Sequence, residues 1–105
     1  MDFFVDKKRL NMSAEQVMRK AGYAYFVDPK SHEESFVRRL YGDFYPRFHL
    51  YLKEDPDRIR FNLHLDQKKA SYQGAHKHNA EYSGETVEAE IIRLKQVITL
   101  LVQKG

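Results

Sequence analysis

The chain reads as an α+β domain of two layers: an N-terminal helix, an antiparallel sheet of three to five strands around a central hairpin at 47–66, and a long C-terminal helix packed on one sheet face. Three observations predict this. Apolar and polar residues alternate with period two on both sides of the acidic turn Glu54-Asp55-Pro56-Asp57, the pattern of a hairpin with one buried and one solvated face. Val87, Ile91, Leu94, Ile98 and Leu101 recur at helical spacing near the C-terminus. Half of the aromatic residues (Phe36, Tyr41, Phe44, Tyr45, Phe48, Tyr51 and Phe61) fall between positions 36 and 61, which places the core in the middle of the chain.

From Asp6 to Ala21, residues Leu10, Ala14, Val17, Met18 and Ala21 are spaced for one helix face. Ser13 with Gln16 makes a capping-box pattern at which the helix restarts, and Gly22 is placed to end it in the left-handed conformation. Tyr23 to Val27 is aromatic and β-branched and predicts a short strand, stopped by Asp28-Pro29. The segment 31–41 carries two signals. Ser31 with Glu34 suggests another helix cap, whereas Ser35-Phe36-Val37 suits a hairpin partner for the preceding strand, and the strand reading is preferred. In such a strand Arg38 and Arg39 point to opposite faces, one of them pairing with Glu33, Glu34 or Asp43 at the surface.

Gly42 and Pro46 bracket a loop. In the hairpin, Phe48 is expected opposite Leu63 and Leu50 opposite Phe61, which leaves Arg47, His49, Tyr51, Arg60, Asn62, His64 and Asp66 to share the other face. Residues 67–82 are polar and form a candidate functional loop, with a short further strand near 70–73. Ser83 is an N-cap candidate for the last helix, at 84–103, with Glu85, Glu88 and Glu90 in its first turns, where carboxylates complement the helix dipole.

At 105 residues and 12.5 kDa the chain fits a single domain, 1–105. The absence of cysteine excludes a disulfide framework, a thiolate metal site and a cysteine nucleophile, and fits a reducing, cytoplasmic setting. No run approaches the roughly 20 apolar residues of a membrane span, and Met1 to Leu10 carries charges where a signal peptide needs an apolar stretch, so no membrane partner is expected. Gly74 and Gly84 stand alone, without the pattern of a phosphate-binding loop, and no serine sits in a recognisable nucleophile elbow.

The net charge is only +3, but residues 36–78 hold nine Lys and Arg against five Asp and Glu, a local +4 on the hairpin and the loop after it. An antiparallel sheet ordinarily has one solvated polar face. This one combines Arg47, Tyr51, Arg60 and Asn62 with Lys68, Lys69 and Lys77 of the following loop, a set suited to phosphates and to base stacking. RNA or DNA is therefore the expected partner. The carboxylates opening the last helix would repel phosphate, which directs such binding to the sheet face.

Four of the five histidines lie between 49 and 78. His64 with Asp66, and His76 with His78, are spaced to point the same way in extended segments. Together they make a candidate ligand set for a divalent metal, Zn²⁺, Mn²⁺ or Fe²⁺. The same residue types suit a histidine-dependent nuclease. There His64 or His49 would take a ribose hydroxyl proton, His76 or His78 would protonate the leaving oxygen, and Arg47 and Arg60 would stabilise the charge on phosphorus. A third reading is association through the last helix: Val97 and Val102 widen its apolar stripe enough for a homodimer seam.

Overall fold

The computed structural model describes residues 1–67 and 84–103. Five strands form one antiparallel sheet: β1 (Asp2–Asp6), β2 (Ala24–Val27), β3 (Glu34–Arg39), β4 (Arg47–Glu54) and β5 (Arg58–Asp66), in the spatial order β1-β5-β4-β3-β2. Helix α1 (Ala14–Lys20) connects the two edge strands, and α2 (Gly84–Gln103) follows the sheet. Both helices pack on the face carrying Phe3, Val5, Phe36, Phe48, Leu50, Ile59, Phe61 and Leu63. Val17 and Met18 of α1, and Ile91, Leu94 and Ile98 of α2, complete one continuous core. Among the described residues no helix is long and apolar enough to cross a membrane.

The N-terminus departs from expectation. Residues 2–6 form an edge strand whose Phe3 and Val5 face the core, so the helical segment begins only at Ala14. Asp6 ends the strand and caps a single 3₁₀ turn at Lys7–Arg9 by accepting from the Lys8 N–H at 3.0 Å. A strand wins here because β5 would otherwise be an edge. Phe3 stacks on Phe61 with ring centroids 4.7 Å apart, and the chain gains a full ladder from Asp2–Asn62 to Asp6–Arg58.

The caps of α1 form as expected: Ser13 Oγ accepts from the Gln16 N–H and Gln16 Oε1 from the Ser13 N–H, both at 3.1 Å. Beyond it Gly22 adopts φ +94°, which a side chain would strain. The segment at 34–39 is a strand, paired to both β2 and β4. The turn before it is held by Asp28, whose carboxylate accepts from the Lys30 and Ser31 N–H groups at 2.8 and 2.9 Å and is held below the usual range by those bonds.

The hairpin register is shifted by two residues from the expected one: Phe48 faces Leu65, Leu50 faces Leu63, and Leu52 faces Phe61. Proline sets this. Its fixed φ suits the first central position of a tight turn, so Pro56 and Asp57 occupy the two central sites, closed by a bond from the Asp55 N–H to the Arg58 carbonyl at 2.9 Å. A shift of two keeps every side chain on its predicted face.

Candidate functional site: the open face of the sheet

The face turned away from the helices is built from the cross-strand pairs Arg47–Asp66, His49–His64, Tyr51–Asn62 and Lys53–Arg60. Ser35 and Val37 of β3 and Phe26 of β2 continue it on one side, and Asp2 and Phe4 of β1 on the other.

At its centre lies a hydrogen-bonded chain that the sequence does not disclose, because its members come from β3, β4 and β5. Ser35 Oγ is 2.6 Å from His49 Nε2, His49 Nδ1 is 2.8 Å from Asp66 Oδ2, and Arg47 Nε donates to the same carboxylate oxygen at 3.4 Å. Burial opposes ionisation of Asp66, but the hydrogen bond from His49 and the charges of His49 and Arg47 outweigh it and hold the carboxyl below its ordinary range. An ionised carboxylate only accepts, so His49 Nδ1 carries a proton, while Nε2 meets the Ser35 hydroxyl, which also lies 3.5 Å from the Phe26 carbonyl.

The connectivity is that of a Ser-His-acid triad. Accessibility argues against that chemistry, since Ser35 is 2% exposed and sits mid-strand between paired neighbours, where no substrate carbonyl reaches its oxygen. The chain instead fixes the His49 ring.

Arg47 is also internal. It is 5% exposed, and its guanidinium lies over the rings of Phe26, Phe44 and Tyr45 at 4.9, 4.4 and 4.9 Å. Its Nη1 has no hydrogen-bond partner among the described residues.

From this fixed centre a ladder of rings crosses the face. Phe26 and His49 have centroids 6.1 Å apart, His49 and Tyr51 4.6 Å, and Tyr51 and His64 5.7 Å. Beside its outer end runs a groove of about 600 Å³ lined by Tyr51, Lys53, Arg60, Asn62 and His64, with Glu33 and Glu34 on the β3 side.

His64 is exposed and makes no hydrogen bond to any described residue, whereas both nitrogens of His49 are engaged. Lys53 has no ion-pair partner among the described residues, while Arg60 is bound to Asp2 at 2.6 and 2.8 Å. Asn62 Oδ1 is buried in the groove wall without a partner among the described residues. Burial raises the Tyr51 phenol, and the charges of Glu33, Asp66 and Asp28 raise it further against Arg47. That hydroxyl keeps its proton across the neutral range.

Of the residues expected from the sequence, the fold brings Tyr51, Arg60, Asn62 and His64 to one groove and turns Arg47 and His49 inward. Lys68, Lys69, His76, Lys77 and His78 lie outside the described residues, as does the candidate strand near 70–73. Half of the candidate metal set is therefore beyond view. Of the other half, Asp66 is committed to His49 and Arg47, and among the described residues no three His, Asp or Glu side chains gather as a ligand group.

A second polar cluster, also not anticipated, holds α2 to the sheet. Glu90 is 4% exposed and accepts from Tyr23 Oη at 2.6 Å and from Arg93 at 2.7 and 2.8 Å, with Arg38 3.5 Å away. Arg93 also donates to the Ala21 carbonyl at 2.8 Å. Thus Arg38 pairs with a buried helix carboxylate, and among the described residues no ion pair joins Arg38 or Arg39 to Glu33, Glu34 or Asp43, the pairing expected of one of the two. The signal was present in the sequence: Glu90 falls on the helical stripe between Val87 and Ile91.

Compared with protein-family models, with curated proteins and with solved structures, the chain matches none.

Proposed function

We propose that this protein binds single-stranded nucleic acid on the open face of its sheet, bases stacking at the Tyr51 and His64 end of the ring ladder and phosphates meeting Lys53 and Arg60. The observation that supports the reading is the ladder itself: aromatic rings on a sheet face that neither described helix covers, beside a groove with cations, are what unstacked bases require. The positive charge seen in the sequence contributes less than its count suggests. Arg38, Arg47 and Arg60 each face a carboxylate, and Glu33 and Glu34 offset Lys53 and Arg60 in the groove. Lys68, Lys69 and Lys77 are proposed to supply further phosphate contacts.

Stacking therefore carries more of the affinity than charge. With labelled single strands in a fluorescence-anisotropy titration, Tyr51→Ala should weaken binding by about 1–3 kcal/mol. Lys53→Ala should reduce the slope of log K against log salt by about 0.7. Failure of the wild type to bind any single strand at low salt would refute the reading.

A second reading is supported by a separate observation. Ile92 and Leu100 are 58% and 60% exposed on α2 and flank an apolar groove with Gln96 and Thr99. This surface suits association with a second copy of the chain.

A further inference from the structure

We infer that the groove at the end of the ring ladder cleaves RNA, with His64 as general base and Tyr51 as general acid on one phosphodiester. The inference rests on the nucleic-acid reading above and adds a reaction to it.

The groove holds the parts this chemistry needs, each from a separate observation. His64 is the histidine of the hairpin whose nitrogens are free: it is exposed, lines the groove and bonds to no described residue, while His49 is locked between Ser35 and Asp66. Histidine suits the role of base because its ordinary pKa lies near neutral pH. Tyr51 stands 5.7 Å from His64, ring to ring, at 75°. Both rings line the same groove, so one phosphodiester can reach both groups. Burial and the neighbouring carboxylates keep the Tyr51 phenol protonated, as an acid must be before it acts. Lys53 and Arg60 face each other one row beyond Tyr51 and two beyond His64; Arg60 is tied to Asp2, so Lys53 is the cation available to the non-bridging phosphate oxygens as negative charge builds on them.

Below the groove, His49 lies against Tyr51 at 4.6 Å, and the Ser35–His49–Asp66 chain holds that ring in place. His49 is thus a positioning residue, acting through Tyr51 and touching no substrate.

The step balances with water as the only other participant. His64 takes the proton of a ribose 2′-hydroxyl. The 2′-oxygen bonds to phosphorus, the bond from phosphorus to the 5′-oxygen of the next nucleotide breaks, and that oxygen takes the phenolic proton of Tyr51. The products are a 2′,3′-cyclic phosphate and a 5′-hydroxyl. The proton on His64 returns to the tyrosinate through water, which restores both groups.

The test uses the full chain, a 5′-labelled single-stranded RNA and the DNA of the same sequence, with EDTA present. Single-turnover rates are read at protein concentrations that saturate the RNA for each variant, so a loss of affinity does not enter the rate. The expected result is RNA cleavage to cyclic-phosphate ends with the DNA intact, slowed about 100-fold or more by His64→Ala and by Tyr51→Phe. Tyr51→Phe keeps the ring and removes only the hydroxyl, so its loss of rate cannot come from stacking. RNA that is bound but not cleaved overturns the inference and leaves the binding reading standing. Cleavage that His64→Ala leaves unchanged, or that yields 3′-hydroxyl ends, also overturns it. Absence of RNA binding overturns both.

Discussion

Asp66 is the residue on which the open face depends, because it anchors His49 and Arg47 at once. Its folded-state pKa lies below the unfolded value of about 3.9. The stability it contributes is therefore complete above about pH 4 and is lost as pH falls through the lower folded value. Asp66→Asn should lower stability at pH 7 by about 1.5 kcal/mol, the low end for a bond to a charged group because the side chain is 30% exposed. The variant should also lose less stability than the wild type on further acidification. Thermal melts at pH 7 and at pH 3 would show this as two curves that converge. At the other side of the sheet, Tyr23→Phe should cost about 1.5–3 kcal/mol by removing the buried phenol bond to Glu90. Glu90→Ala should cost about 3 kcal/mol, the low end for breaking a buried pair, because it leaves the Tyr23 hydroxyl without its acceptor while Arg93 keeps solvent and the Ala21 carbonyl. Urea denaturation of each variant measures both.

Helix α2 shows how one element divides its faces. Leu94 and Ile98 are 1% and 2% exposed, so a charge at either unfolds the chain and says nothing about association. Ile92→Asp and Leu100→Asp instead test the exposed face: both should leave the melting temperature within a few degrees of wild type, and sedimentation should show any dimer dissociated. A wild type that sediments as a monomer at high concentration would remove the self-association reading.

The elements also show where sequence reasoning reached and where it stopped. The hairpin faces were legible because a period-two pattern survives a register shift of two. Strand β1 was not, since Phe3-Phe4-Val5 breaks the alternation and the strand exists only because β5 offers an edge. The Ser35–His49–Asp66 chain was out of reach for a related reason: three residues on three strands meet only once the sheet order is known. The basic character of the face was legible as a count, but its neutralisation by Asp2 and Asp66 was not.

Across the whole molecule, one core lies between the sheet and both helices, while the candidate site lies on the opposite surface of the same sheet. Leu52 apart, the two share strands but not side chains, so substitutions of the polar groove residues can change function at little cost in stability, whereas Phe61→Ala should cost about 3–5 kcal/mol. The strand order has a further consequence for the making of the protein. Strand β1 is made before the other four strands, yet the strand it pairs with among the described residues, β5, begins at Arg58. At about 5–20 residues per second, Phe3 and Val5 wait on the order of 3–10 s for a partner, and the sheet closes by accepting at its edge the strand that was made before its other four.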